Sequence, residues 1–166
     1  YPFVFLLQHP DTDVWEQSFQ QMTETLNALA QAHLPILAQW PNADAGTDRI
    51  SKSLRVWRDR HPEVSLRTVG NFAPTRFLRL LRQAAVLVGN SSAGIRECSW
   101  LGTPVVNVGN RQQGRERGGN VVDVGYDVAQ IKEAVLQQVA HGPYERSTLY
   151  GEGHAGERIA EVLNGI

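Results

Sequence analysis

The 166-residue sequence has almost no cysteine: Cys98 stands alone. That excludes an internal disulfide framework and any Cys-rich zinc site, and it suits a reducing, cytoplasmic setting. No apolar run approaches the roughly 20 residues that a membrane-spanning helix needs, so no membrane partner is expected. Nor does the charge lean to one sign. A formal net charge of -1 gives no long-range pull on nucleic acid, so a polyanionic ligand has to be held by a local arrangement of groups. Internal repeats and low-complexity stretches are missing too. Residues 1–7 (YPFVFLL) have no starting Met, basic segment or small-residue cleavage site, and read as a buried strand rather than a signal peptide. The expectation is one domain, residues 1–166, cut from a longer protein near a domain boundary.

What is present is an alternation. Short, almost continuously apolar runs at 3–7, 36–39, 64–69, 85–88, 105–108 and 121–124 have the look of parallel strands covered on both faces. Between them lie stretches of helical period. Residues 14–32 put Val14, Phe19, Met22, Leu26, Leu29 and Ala30 near one face, and 48–60 repeat this with Ile50, Leu54 and Trp57. An apolar face of Phe77, Leu78, Leu80, Leu81 and Ala84 follows Pro74, a residue suited to a first helical turn. Residues 128–139 and 155–163 complete the series. The order predicts an α/β fold, a Rossmann-like doubly wound parallel sheet with right-handed crossovers. Ligands in such folds bind beyond the carboxyl ends of the strands, so loops that follow strands are the candidate sites.

Four such loops carry chemistry. The strongest is VLVGNSSAGIRE, 86–97, where a buried strand empties into small residues and a helix begins. Unpaired N–H groups at a helix start favour an anion. Ser91 and Ser92 add hydroxyls, and Gly94 is expected to let a phosphate approach the backbone; an ordinary serine cap fits the same residues about equally well. Glu97, expected in the first turn of that helix, is placed to accept from a ribose diol, or simply gains from the helix dipole. In the Gly/Arg-rich loop 109–119, Arg111, Arg115 and Arg117 offer guanidinium forks to phosphate oxygens, although a bare Arg cluster is more often a solvated loop.

The other two loops are less specific. His9, in Gln8-His9-Pro10 after the first strand, is a candidate to neutralise a leaving phosphate or donate a proton; lone histidines more often only pack. Asn42 and Asp44, in PNADAG after the second strand, would contact a sugar or shape the turn. Asn71 and Phe72 follow the third strand, where a base would lie against backbone groups. His33, His61, His141 and His154 have no ligand spacing, so neither a metal nor a cofactor is expected. Trp15, Trp40, Trp57 and Trp100 are assigned to core or edge packing.

GNSSAGIRE (89–97), LGTPVVN (101–107) and GNRQQGRERGGNV (109–121) together resemble the hydrolysing UDP-N-acetylglucosamine 2-epimerases, and QHP (8–10) and PNADAG (41–46) match in order and spacing. The resemblance covers essentially the whole chain. It implies the C-terminal half of a GT-B-like two-domain enzyme with UDP-sugar in the cleft between halves. Carried over by position, Ser91 and Ser92 would hold the diphosphate, Glu97 the ribose and Arg111 the phosphate region. His9 would act at the diphosphate, and Asn42 would lie in the sugar-nucleotide site. The implied partners are a UDP-sugar, the missing N-terminal domain and, at full length, further copies of the chain. The proton-transferring carboxylates would belong mainly to the N-terminal half. Gly119 departs from the resemblance, since many relatives would carry Glu there. Alternatives are the donor-nucleotide half of a GT-B glycosyltransferase and a non-catalytic nucleotide-sugar module.

Overall fold

A computed structural model describes residues 2–165; Tyr1, the first residue of the opening apolar run, lies outside them. Six strands, β1 (Val4–Leu7), β2 (Ile36–Gln39), β3 (Leu66–Val69), β4 (Val86–Gly89), β5 (Val105–Val108) and β6 (Val121–Val124), form one sheet in the order β3-β2-β1-β4-β5-β6. All five pairings are parallel. This is the doubly wound order, and it reverses direction between β1 and β4.

Helices cover both faces because the strands are apolar on both. Val4 and Leu6 of β1, with Val86, Val88, Val106 and Val108, face α1 (Ser18–Gln31), α2 (Thr47–Arg60) and α6 (Val128–His141) through Met22, Leu26, Leu29, Ile50, Leu54, Trp57, Ile131 and Val135. Phe5, Leu7, Leu87 and Val105 point the other way, against α3 (Pro74–Gln83), α4 (Ser92–Ile95) and α5 (Glu97–Leu101) through Leu81, Ala84, Ala93 and Cys98. Each fully buried Leu or Ile is worth about 1.5–3 kcal/mol. The Cys98 thiol is buried, and that burial pushes its pKa up, so it is inert.

Two expected helices differ. The stretch 14–32 begins as a 3-10 turn, Thr12–Gln17, capped by the Asp11 side chain, and Val14 (φ -135°, ψ 37°) breaks the period before α1 starts at Ser18. The helix after β4 is broken at Arg96 (φ -100°, ψ -68°) into two short pieces. Glu97 therefore opens α5 rather than lying in the first turn of the helix that starts at Ser92. No helix joins β5 to β6: residues 109–120 make the crossover as a loop, about the shortest length that returns a chain to a parallel neighbour. The last helix, α7 (Ala155–Asn164), buries none of its residues, and Ile159, Val162 and Leu163 are exposed.

Two glycines fix the geometry around β4. Gly89 has φ +134°, and a Cβ there would lie 2.1 Å from the Leu7 carbonyl oxygen. A Cβ on Gly94 would meet Val105 Cγ1 at 2.9 Å and Leu87 Cδ2 at 3.0 Å. The missing side chain of Gly94 therefore lets α4 press onto the sheet. Gly89→Ala is expected to destabilise the chain by about 3 kcal/mol or more, from backbone strain and overpacking together. Urea unfolding monitored by circular dichroism measures it, and a midpoint within error of the parent contradicts the close approach to β1.

Candidate functional site

Because strand order reverses between β1 and β4, the loops leaving these two strands diverge and open a crevice at their carboxyl ends. His9 stands on one lip and Asn90–Ser92 on the other. The two are joined by a reciprocal pair: the His9 N–H donates to Asn90 Oδ1 at 2.7 Å, and Asn90 Nδ2 donates to the His9 carbonyl at 2.9 Å. The loop after β5 arrives at the same place. Gln112 Nε2 and Arg111 Nη1 both donate to the main-chain carbonyl of Asn90, at 2.8 and 3.3 Å. The loop after β2 closes the group, with the Asn42 N–H donating to His9 Nδ1 at 3.3 Å and Asp44 Oδ2 lying 4.0 Å from Arg111. Four of the expected residues, His9, Asn42, Asp44 and Arg111, are thus joined around Asn90, which Ser91 follows in the chain.

The hydrogen bond from Asn42 sets the state of the His9 ring. A main-chain N–H only donates, so Nδ1 is an acceptor and the ring proton sits on Nε2. Burial, reinforced by the Arg111 charge and opposed by Asp44, lowers the His9 pKa to about 4. In the free chain His9 is therefore a neutral N–H donor near pH 7, not the cation that an unperturbed histidine would partly supply.

Ser91 caps α4, its Oγ accepting from the Ala93 N–H at 3.3 Å, as the ordinary-cap reading had it. The Ser92 hydroxyl and the N–H groups of Ser91 and Ser92 have no partner among the described residues. The start of α4 therefore offers two main-chain donors and one hydroxyl that are free among the described residues. With α4 only four residues long, its dipole is a minor addition. Glu97 lies further along this face, lining a cavity of about 410 Å³ with Leu78, Trp100, Leu101 and Tyr150, and its Oε2 is buried with no hydrogen-bond partner among the described residues.

The remaining candidates separate. Arg117 turns away from the crevice to Asp123, with Nε 3.1 Å from Oδ2, and Arg115 is exposed, so the three arginines are not one cluster. Asn71 accepts from Gln39 Nε2 at 3.3 Å, beside the edge strand β3. The Phe72 side chain packs on the α3 face of the core with Arg76 over its ring. Trp57 is buried and donates to Asn27 Oδ1, whereas Trp15 is exposed beneath Arg49 and Trp100 is covered by Arg146.

Sequence reasoning passed over Asn90, Gln112 and Tyr126. Gln112 is buried with its Oε1 unpartnered among the described residues, and Tyr126, whose hydroxyl lies beside Asn90, has its pKa pushed up to about 12 by burial. Only Asn90 left a signal, as the polar residue between a buried strand and the capping serine.

The profile of the UDP-N-acetylglucosamine 2-epimerase family matches residues 1–164. The chain belongs to that family. A UDP-N-acetylglucosamine 2-epimerase of Neisseria meningitidis is 31% identical over 163 residues, covering 94% of this chain and 41% of its own length. A UDP-N,N'-diacetylbacillosamine 2-epimerase (hydrolyzing) of Legionella pneumophila is 31% identical over 161 residues, covering 97% and 42%. The chain therefore spans about two-fifths of the length of these curated relatives. Among solved structures, the Methanocaldococcus jannaschii UDP-GlcNAc 2-epimerase in complex with UDP-GlcNAc and UDP superposes with TM-score 0.74 at 15% identity, over 99% of this chain and 46% of that one. A glycosyltransferase involved in avilamycin A biosynthesis, AviGT4, superposes with TM-score 0.60 at 18% identity, over 99% and 51%. At such identities these likenesses establish the fold, which epimerases and glycosyltransferases share.

The state of His9 makes stability pH-dependent in this member of the epimerase family. Above pH 6.5 the imidazole is neutral in folded and unfolded chains alike. Between 6.5 and about 4 only the unfolded chain takes up the proton, so stability is lost as pH falls through that window. His9→Gln is expected to lose less stability between pH 7 and pH 5 than the parent, measured as urea midpoints. Equal losses would show that His9 is not held neutral.

Proposed function

We propose that the chain is the UDP-binding half of a hydrolysing UDP-N-acetylglucosamine 2-epimerase, a single Rossmann-like domain whose catalytic N-terminal half lies outside it. The reaction of the whole enzyme removes the C2 proton of the sugar with anti elimination of UDP, giving a 2-acetamidoglucal. Water then adds across that double bond with inversion at C2 and releases N-acetylmannosamine. The observation that carries the reading is the convergence of neutral His9, Arg111 and the free donors of Ser91 and Ser92 on one crevice at the reversal of strand order.

On this reading the diphosphate sits against the Ser91 and Ser92 N–H groups and the Ser92 hydroxyl, with Arg111 at its flank. The His9 Nε2–H donates to the leaving phosphate, whose charge raises the His9 pKa on binding and brings protonation nearer. Glu97 accepts from the ribose diol with the oxygen that has no partner in the free chain. The base lies against the main chain at Asn71 and Phe72, and Asn42 reaches toward the sugar. Gly94 serves by seating α4 on the sheet. Asp44 lies 4.0 Å from Arg111, and the spacing of Asp11, Asp13 and Asp44 marks no acid–base pair. The exposed apolar side of α7 is suited to packing on the absent half.

The Legionella relative acts, by its name, on a diacetamido sugar, so a 2,4-diacetamido-trideoxy hexose is a second candidate for the sugar. The donor half of a GT-B glycosyltransferase shares the fold but not the family match.

UDP titrated into the chain by calorimetry is expected to bind at millimolar concentration or tighter. Ser92→Ala is expected to weaken it about three- to tenfold, the loss of one neutral hydrogen bond, and Glu97→Ala about tenfold or more. The chain alone is expected not to turn over UDP-N-acetylglucosamine, while the complete protein does. Unchanged affinity in both variants, or turnover by the chain alone, contradicts the assignment.

A further inference from the structure

Asn90 has no solvent exposure, and its side-chain oxygen and nitrogen are both engaged within the chain. The two bonds run in opposite directions to the same residue, 81 positions away, and replace the ladder that ends where β1 and β4 part. Without the amide, the His9 N–H and carbonyl would be buried and unpaired. A main-chain position held from both its N–H and its C=O is fixed in direction as well as place. The ring it carries is then oriented by the Asn42 N–H. Asn90's own carbonyl meanwhile anchors Gln112 and Arg111. One residue therefore ties the loops of β1, β4 and β5 together without offering an atom of its side chain to a ligand.

We propose that Asn90 is the positioning residue of this site: its side-chain amide holds the main chain of His9 so that the ring's Nε2–H and the Arg111 guanidinium address the same phosphate group. The inference rests on reading the crevice as a diphosphate site. The side chain acts through His9, whereas Arg111 hangs on the Asn90 backbone, which every substitution retains. The consequence is a specific coupling: changing the amide harms phosphate binding only while the imidazole is there to be misplaced.

The test is a double-mutant cycle on UDP affinity with Asn90→Asp and His9→Ala. Asn90→Asp keeps the size and the acceptor but loses the donor to the His9 carbonyl. Each single variant is expected to weaken UDP about tenfold, and the double variant also about tenfold. Asn90→Ser, which removes the amide without adding a charge, is measured beside Asn90→Asp, because salt screens a buried carboxylate poorly. A double variant weakened about a hundredfold, the additive result, overturns the proposal. Proton–nitrogen multiple-bond NMR of the His9 ring supplies the second readout, without ligand. The parent is expected to show the Nε2–H form, and Asn90→Asp a mixture of tautomers; an unchanged ring in a folded Asn90→Asp chain overturns the proposal as well. Asn90→Ser replaces Asn90→Asp in both measurements should the latter not fold. A parent chain that binds no UDP sinks the diphosphate reading, and the NMR comparison still judges the role of Asn90.

Discussion

The fold and the site depend on one exchange of hydrogen bonds, between the amide of Asn90 and the main chain of His9. A doubly wound sheet must part where its strand order reverses, and the polar groups at the parting lose their ladder partners. Buried and unpaired, each would cost about 1–3 kcal/mol. Asn90 satisfies two of them within hydrogen-bonding distance, so the crevice opens without that penalty. Gly89 makes the arrangement possible, because only a residue without a side chain passes so close to the Leu7 carbonyl. The crevice is thus a consequence of topology, and its walls are fixed by two adjacent residues, one chosen for having no side chain and the other for having an amide.

The electrostatics of the site follow from the same burial. A histidine charged in the free chain would have to be desolvated beside Arg111, and it is the proton that yields. The site keeps one guanidinium, partly offset by Asp44, and otherwise presents dipoles: two N–H groups, a hydroxyl and an imidazole N–H. Such groups stabilise an anion without repelling one another in its absence, which is why a phosphate site is built with few full charges. On the proposed reading, it also reconciles a diphosphate ligand with a net charge of -1 for the chain.

The architecture was largely legible because it is written in continuous apolar runs. Three of the six strands, at 36–39, 105–108 and 121–124, have the bounds read from sequence, and the others shift by one or two residues at one or both ends. What escaped were features set by tertiary neighbours. Val14 is apolar at helical spacing, yet its backbone leaves the helix. Gly94 in a glycine-rich turn suggests contact with an anion, whereas its tight neighbours are Val105 and Leu87. Three arginines within seven residues look like one patch until Asp123, sixteen residues beyond Asn107 in the next strand, claims Arg117. Asn90 sat in the most informative motif and was passed over, since its partner is remote in sequence and pairs through the backbone, which leaves no trace in residue type.

On the proposed reading, the division of labour between the halves of such an enzyme has a physical reason. A diphosphate is well held by main-chain donors and a few fixed side chains, all of which one sheet edge supplies from consecutive loops. Moving the C2 proton needs carboxylates, and carboxylates beside a diphosphate raise the energy of both. Asp44 lies 4.0 Å from Arg111, and Glu97 lines the cavity along α5 with Trp100 and Tyr150. Placing the acid–base groups on the opposite wall separates like charges until the cleft closes on a substrate. The two-domain arrangement then lets each wall be stable by itself while the reacting atoms lie between them.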